Sequence, residues 1–292
     1  MLRRALLVVS VLTVGSSLSH AQTKLNRGLQ LDANGAVRIV NLVGSVKVTG
    51  WKRDSVAVRG TLGKGNHIFM GGGHSGMKMF IEGDDERNPS ASDIEVMVPM
   101  SAKVWVKTAT ASIDVSGVNG SLDLYVVGGK ITVRGSPADV NAEAIDGSID
   151  IVGDPAWVRA KSASGDVSLD GSSPDVTIST VSGKIDVDGT KFEKAKFESV
   201  TGSVRFAGSF ARGGQANFDN HSGSIEIGIP AGSPADFDVT SIAGSIANKL
   251  TATRPLPGRY GRGAELVTSS GSGGTRVVVR SFKGPVVLLA KD

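Results

Sequence analysis

A short phrase recurs along most of this chain: a Gly, a small or polar residue, and then an apolar–polar–apolar triplet. The Gly residues of this phrase are 18 residues apart in the first four copies and 19 to 21 apart afterwards, at Gly129, Gly147, Gly165, Gly183, Gly202, Gly223 and Gly244. A fixed period of about 20 residues built from strand-like segments is typical of a solenoid. We therefore predict an all-β fold, a single-stranded parallel β-solenoid (β-helix) with about 18–21 residues per coil.

Each period contains two strands in which apolar and polar residues alternate, so one face of each strand is apolar. In the Gly phrase the inward column is Ile131, Ile149, Val167, Ile185, Val204, Ile225 and Ile246. In the second strand it is Val140, Val158, Val176, Ala195, Ala216 and Phe237. One coil cannot bury these side chains alone, so we expect the core to exist only through stacking of coils.

An outward column of polar residues lies beside the inward column of the Gly phrase: Asp114, Thr132, Asp150, Ser168, Asp186, Arg205 and Glu226. Its acidic residues alternate with hydroxyls or meet Arg205, which avoids like charges on neighbouring strands and supports the register. A calcium-binding ladder is the alternative explanation. Calcium repeats place their oxygens in Gly-rich turns, whereas these Asp residues lie within strands. We therefore predict no calcium site.

The first residues have the features of a secretory signal. Arg3 and Arg4 precede an apolar stretch, and Ser19-His20-Ala21 is a cleavage site of small residues, so we predict a signal peptide over 1–21. The apolar stretch is too short to span a bilayer, and no later run has that length. The sequence contains no Cys, which excludes disulfides and acylation at a new N-terminal Cys. We expect an exported protein without a membrane span, located in the periplasm, on the outer surface or outside the cell.

The rest of the chain divides into two parts. Residues 22–107 are predicted to form a less regular N-terminal β segment with the first coils, which caps the stack and carries a Gly-rich insertion at 60–76. Residues 108–292 are predicted to be the regular solenoid, with a surface loop at 251–263 and a C-terminal closing coil. Without Arg3 and Arg4 the chain has 30 basic and 28 acidic residues. This balance, with no basic cluster among aromatics, indicates no nucleic-acid partner.

Three His residues remain after removal of the signal peptide. His67 and His74 lie in the Gly-rich insertion, where we predict a mobile segment rather than a zinc site, because such a site needs four ligands in fixed geometry. His221 occupies a corner column of apolar residues, which are Val127, Ile145, Ala163, Val181, Val200 and Ile242. It is either a hydrogen-bonded core His or a sign of a bulged turn, and the 21-residue spacing near Gly223 favours the bulge. We assign no catalytic, cofactor-binding or metal-binding residue.

The segment Asn41–Trp51, with the sequence NLVGSVKVTGW, resembles the entry motif of a large bacterial family, as does Val98-Pro99 leading into Val104–Thr108 and the repeats. The family consists of exported putative adhesin domains of unknown function, related to auto-transporter adhesin head domains. The resemblance covers roughly Leu29 to Leu289. It implies a single-domain β-solenoid at the bacterial envelope and brings no catalytic residues.

We expect a non-enzymatic exported β-solenoid that serves as an adhesin or an envelope structural or interaction protein, with an unknown protein or glycan as partner and no cofactor. The alternative is a periplasmic envelope-stress or signalling accessory that binds a partner protein along one face. A glycan-active enzyme is a third hypothesis, because β-helices also carry such enzymes. These enzymes need a groove with paired carboxylates, and sugar platforms favour exposed aromatics, whereas the chain has only 3 Trp and 2 Tyr.

Overall fold

A computed structural model describes residues 23–85, 87–259 and 261–291. The predicted signal peptide lies outside these residues. Within them the chain forms no helix and 25 strands. The strands are β1 (Thr23–Gln30), β2 (Ala36–Asn41), β3 (Gly44–Trp51), β4 (Ser55–Leu62), β5 (Asn66–Gly73), β6 (Gly76–Gly83), β7 (Ser92–Pro99), β8 (Lys103–Lys107), β9 (Ser112–Ser116), β10 (Ser121–Val126), β11 (Ile131–Arg134), β12 (Asp139–Ala144), β13 (Ile149–Val152), β14 (Trp157–Ser162), β15 (Val167–Asp170), β16 (Asp175–Thr180), β17 (Ile185–Ser199), β18 (Val204–Asn220), β19 (Ile225–Pro230), β20 (Ala235–Ser241), β21 (Ile246–Lys249), β22 (Leu256–Pro257), β23 (Ala264–Ser270), β24 (Arg276–Ser281) and β25 (Val286–Lys291).

The strands form two ladders whose inner faces share one hydrophobic core. Ladder A has the order β5-β6-β2-β8-β10-β12-β14-β16-β17-β18-β24-β20-β23-β22. Ladder B has the order β1-β4-β7-β3-β9-β11-β13-β15-β17-β18-β19-β25-β21. In each coil the chain passes from ladder A to ladder B, and β17 and β18 bend through both. The all-β, solenoid-like fold agrees with the sequence prediction.

A purely parallel solenoid is not what the structure has, because the sheet is mixed. Parallel pairing runs through the regular coils, but antiparallel strands cover the ends: β4 and β1 beside β7, β5 beside β6, and β23 beside β20. The physical reason is that the terminal coils have no further coil to pair with. A strand that runs back along a terminal strand satisfies its backbone groups by antiparallel pairing.

The predicted inward columns are confirmed through the regular coils. Ile149 pairs in register with Ile131 on one side and Val167 on the other, and all three are fully buried. At the C-terminal end the spatial order departs from the chain order. Val286 of β25 lies between Ile225 and Ile246, which the sequence analysis places next to each other. The last coil is therefore inserted between two earlier ones.

The repeated Gly residues are required by close approach of neighbouring coils. A Cβ on Gly183 would lie 2.0 Å from the carbonyl oxygen of Gly165, and one on Gly202 would lie 1.9 Å from that of Gly183. No side chain larger than hydrogen fits at these positions without moving the backbone. The repeated Gly therefore marks the corner at which the backbones of neighbouring coils come closest.

Three residues before most of these Gly residues, a buried hydroxyl or amide ties the corner together. Asn220 donates from Nδ2 to the Gly202 carbonyl at 2.7 Å and accepts at Oδ1 from the Gly223 N–H at 2.7 Å. Thr180 donates to the Gly183 carbonyl at 2.7 Å, and Ser199 accepts from the Gly202 N–H at 3.0 Å. These bonds satisfy backbone groups that turn away from both ladders.

The longer coils are filled by aromatic side chains on the inner face of ladder A. Phe197 and Phe218 occupy the column that holds Ala142, Ala160 and Ile178 in earlier coils. They pack against Phe206, with ring centroids 5.9 and 5.7 Å away. The extra residues of the 21-residue period lie between Gly208 and Gln215, because the register of β17 with β18 shifts there.

The structure adds two local features that the sequence did not show. The Gly-rich insertion at 60–76 contains strands: it includes the end of β4, all of β5 and the turn into β6, so that β5 and β6 form an antiparallel hairpin. The apolar corner column is exposed rather than buried. Val127, Ile145, Val181, Val200 and Ile242 are 37–54% exposed, because they lie outside the corner that the hydroxyl and amide residues close.

At the C-terminal end, residues 251–263 include the two-residue strand β22, which pairs with β23. Among the described residues, no helix has the length and apolarity to cross a bilayer.

Candidate functional site

A groove of about 860 Å³ lies on the outer face of ladder A at its N-terminal end. It is formed by the outward residues of β6, β2, β8, β10 and β12 and is bounded by β5. The side chains that give it its chemistry are Phe69, Lys78, Arg38, Trp105, Asp123 and Asn141.

Five of these side chains form one outward column. The pairing places Lys78 beside Arg38, Arg38 beside Trp105, Trp105 beside Asp123, and Asp123 beside Asn141. At about 4.8 Å per strand the column is about 19 Å long. Its first two rungs are basic, its third is aromatic, and its last two are a carboxylate and an amide.

The basic end of the column contains two cations on neighbouring strands. The guanidinium carbon of Arg38 lies 4.7 Å from the centre of the Trp105 ring, which is a cation–π contact. Within the described part of the chain, neither Arg38 nor Lys78 forms an ion pair with a carboxylate.

The polar end of the column is ordered by hydrogen bonds between side chains. Asn141 donates from Nδ2 to Oδ1 of Asp123 at 3.2 Å. Next to it Ser121 donates to Oδ2 of Asp139 at 2.8 Å. Both carboxylates are exposed and keep free lone pairs, so this end of the groove accepts hydrogen bonds from a ligand.

The β5–β6 hairpin supplies an apolar wall. The Phe69 side chain is 57% exposed and stacks on Phe80 with ring centroids 5.4 Å apart. The absence of a side chain at Gly71 makes room for this ring, because a Cβ there would lie 3.2 Å from it. Phe69 therefore gives the groove an exposed aromatic surface, the apolar component that ligand sites combine with a few polar groups.

The outward column of ladder B has a different electrostatic arrangement, in which most acidic groups are paired. Arg205 contacts Asp186 at 2.8 Å, and Lys184 contacts the same carboxylate at 2.6 Å. Partial burial opposes ionisation of Asp186, but the hydrogen bonds and charges of Lys184 and Arg205 outweigh it and hold the pKa of Asp186 below its ordinary value.

The pKa of Asp150, in the same column, is lowered by similar contacts. Burial raises its pKa, whereas Lys130 and a 2.8 Å hydrogen bond from Ser168 lower it by more, so that the net pKa is below its ordinary value. The predicted register of this column is confirmed from Asp114 to Glu226.

A second groove, of about 700 Å³, follows ladder A at its C-terminal end and contains His221. His221 is exposed and stacks on Phe282 with ring centroids 4.8 Å apart, so it is not a core His. The register shift of this coil lies between Gly208 and Gln215, so His221 is not at a bulge either. Glu198 and Asp219 lie on neighbouring strands in this groove. The pKa of Asp219 is raised, first by burial and also by Glu198, although Arg280 lowers it in part.

The other two His residues do not converge on a metal site. His67 contacts the Asp84 carboxylate at 3.1 Å, with both side chains more than 70% exposed. His74 is exposed in the turn between β5 and β6. In the described ranges no three His, Asp or Glu side chains are grouped to hold a metal ion. His67 belongs to β5 of the hairpin, and the mobility of this segment stays a prediction.

The groove was not predicted from the sequence. Trp105 was counted only among the three Trp residues, too few for a sugar platform, and Phe69 was left within the Gly-rich insertion. The missing information was that β6 pairs with β2 rather than with the next coil, which places Lys78 beside Arg38. The signal that could have suggested it is the apolar alternation of Met77, Met79 and Ile81, the inward face of a ladder strand.

The fold defines an all-β, solenoid-like protein with an open groove on one side. The sequence profile of the Toastrack DUF4097 family matches residues 44–256, and the chain belongs to that family. This agrees with the resemblance found in the entry motif and the repeats.

Several solved structures of low sequence identity are similar. A putative adhesin from Bacteroides fragilis is 12% identical over 92% of this chain and 98% of its own, with a TM-score of 0.43. A putative lipid binding protein from Parabacteroides distasonis is 12% identical over 90% and 96%, with a TM-score of 0.42. A putative adhesin from Parabacteroides merdae is 13% identical over 91% and 96%, with a TM-score of 0.36. No curated protein matches this chain.

Proposed function

We propose that this protein is a non-enzymatic, exported interaction protein of the bacterial cell envelope, an adhesin in the broad sense, and that the groove on ladder A is its recognition surface. The observation that carries the proposal is the outward column from Lys78 to Asn141. It combines an ordered cation, an aromatic ring and hydrogen-bond acceptors in one open groove. This is the composition of a site that orients a ligand.

Export is supported by the signal-peptide features of residues 1–21. A binding role rather than a catalytic one is supported by the arrangement of acids in the groove. Glycosidases use two carboxylates on either side of the scissile bond, one with a raised pKa. Asp123 and Asp139 instead lie on neighbouring strands of one wall, where Asn141 and Ser121 hold them as acceptors.

The proposal is tested by sedimentation with insoluble cell-envelope material, such as the polysaccharide-bearing wall fraction. The mature chain should co-sediment, and the exposed substitutions Phe69→Ala and Asp123→Ala should each reduce the bound fraction. The matched control is Arg159→Gln, which removes an exposed charge from the same outward column one strand beyond Asn141. Equal sedimentation of all four proteins would refute the groove as the recognition surface.

Two further measurements separate the alternatives. Protease treatment of intact cells should degrade a surface-exposed protein, whereas full protection would favour the periplasmic signalling accessory. Incubation with envelope polysaccharides should release no new reducing ends. Release of such ends, abolished by Asp123→Ala, would establish the glycan-active enzyme instead.

A further inference from the structure

We infer that the ligand of this groove is an acidic saccharide. Its carboxylate or sulfate group would bind between Arg38 and Lys78, and its hydroxyls would bind Asp123 and Asn141. The inference rests on the proposed function and specifies the ligand class of the same site.

Two cations stand side by side in the groove without a carboxylate to neutralise them. Arg38 and Lys78 are directly opposite on β2 and β6, an arrangement that destabilises a sheet unless an anion lies between them. The outward column of ladder B avoids this arrangement: each rung from Glu95 to Asp114 alternates in sign through Lys47. An anionic group of a ligand would supply at Arg38 and Lys78 the compensation that the protein supplies on ladder B.

The position of Arg38 also favours an anionic ligand. Its guanidinium carbon lies 4.7 Å from the centre of the Trp105 ring, and this cation–π contact restrains the side chain before a ligand binds, which lowers the entropic cost of binding. A planar guanidinium binds a carboxylate or sulfate through two parallel hydrogen bonds.

The rest of the column has groups that suit a sugar rather than a bare anion. A bare anion would contact only the first two residues of the column. Asp123 and Asn141, two and three strands from Arg38, offer two carboxylate oxygens and an amide, which match the vicinal hydroxyls of a sugar ring. Trp105 and Phe69 provide apolar surface for the C–H face of such a ring. Vesicles of anionic lipid present charged headgroups but no such ring, so they would use only the cationic end of the groove.

Isothermal titration calorimetry with defined probes tests the inference. The probes are tetragalacturonate, a sulfated chondroitin tetrasaccharide, neutral maltotetraose and vesicles of phosphatidylglycerol. At least one acidic tetrasaccharide should bind, with an affinity that falls as salt rises, and maltotetraose should bind at least about tenfold more weakly.

Arg38→Gln and Lys78→Gln should each weaken binding of the acidic tetrasaccharide on the order of 10- to 100-fold. Lys78 is exposed, so its substitution leaves the fold intact if Arg38→Gln proves unstable. Arg159→Gln should change the affinity less than twofold.

The result that overturns the inference is binding of neither acidic tetrasaccharide, equal binding of the neutral one, or binding of the vesicles instead. Failure here leaves the proposed function standing if Phe69→Ala and Asp123→Ala still reduce sedimentation with the envelope fraction. The proposed function and the inferred ligand class both fail if Phe69→Ala and Asp123→Ala sediment like the wild type.

Discussion

The outward charges on the two ladders differ in how they are compensated. On ladder B, Asp186 accepts hydrogen bonds from both Lys184 and Arg205, and Asp188, which is opposite Asp170, contacts Lys291 at 3.0 Å. On ladder A, Glu198 is opposite Asp219 but contacts Lys196 at 2.8 Å. Arg38 is opposite Lys78, and within the described residues neither of these two cations forms an ion pair with a carboxylate. Because opposed like charges cost stability in a ladder, the difference indicates that ladder B serves the fold while the N-terminal end of ladder A keeps charges free for recognition.

The inner faces, in contrast, should be equivalent, and substitutions there should have the largest effects. Ile149→Asp on ladder B and Val158→Asp on ladder A each place an unpaired carboxylate at a fully buried position. Each should lower the free energy of unfolding by at least about 4 kcal/mol. Asp150→Asn, one residue outward, should cost about 1 kcal/mol or less. Chemical denaturation measures all three, and equal losses for Ile149→Asp and Asp150→Asn would contradict the register.

Removal of one carboxylate should have opposite effects on stability on the two outer faces. Asp186→Asn takes away the acceptor for two cations and should cost about 1 kcal/mol at pH 7, since the site is partly exposed. Asp219→Asn relieves the repulsion with Glu198 and should be neutral or slightly stabilising. Melting temperatures of the two variants check this pair, and a larger loss for Asp219→Asn would break the comparison.

The pH dependence follows from the directions of the pKa shifts. The folded-state pKa values of Asp150 and Asp186 lie below the ordinary value of 3.8. Their stabilisation is therefore present above that value and is lost as the pH falls through the folded-state pKa. Asp219, with a raised pKa, behaves in the opposite sense and favours folding more as the pH falls towards 3.8.

Thermal unfolding from pH 7 to pH 2 should accordingly show a steep loss of stability below about pH 4. The double substitution of Asp150 and Asp186 by Asn should flatten that part of the curve. Asp219→Asn should not flatten it. An unchanged slope in the double variant would show that the ladder B pairs do not stabilise the fold.

The smallest effect is expected from chelation. Neither the acids of ladder B nor the exposed pair of His67 and Asp84 has the ligand grouping of a metal site. Prolonged treatment with a chelator should leave the melting temperature unchanged within error. A fall of several degrees that calcium or zinc reverses would assign one of the two faces to metal binding.

The burial and register of the regular coils could be predicted from the sequence because the constraints on them are local and periodic. The Gly period reflects backbones that approach too closely for a Cβ, and alternation within each strand fixes which side chains are buried. Both constraints repeat in every coil, so the register between Ile131 and Ile225 could be derived without coordinates.

The ends and the site could not be predicted in this way, because they depend on pairings between segments distant in sequence. Nothing in the period shows that Val286 inserts between Ile225 and Ile246, or that β6 pairs with β2. The groove is a consequence of that second pairing. A second overlooked local signal, besides the alternation in β6, is a hydroxyl or amide three residues before the Gly, as in Thr180 and Gly183, which shows that the adjoining corner residue faces outward.

The division between the two faces is tested most directly by removing one lysine from each and measuring both stability and binding. Lys78→Gln on ladder A should weaken binding of the acidic tetrasaccharide on the order of 10- to 100-fold while leaving the melting temperature unchanged or slightly raised. Lys184→Gln on ladder B, which loses the contact with Asp186, should lower the melting temperature and leave the affinity within twofold. A fall in stability for Lys78→Gln together with unchanged binding, or the loss of binding in Lys184→Gln, would contradict the account.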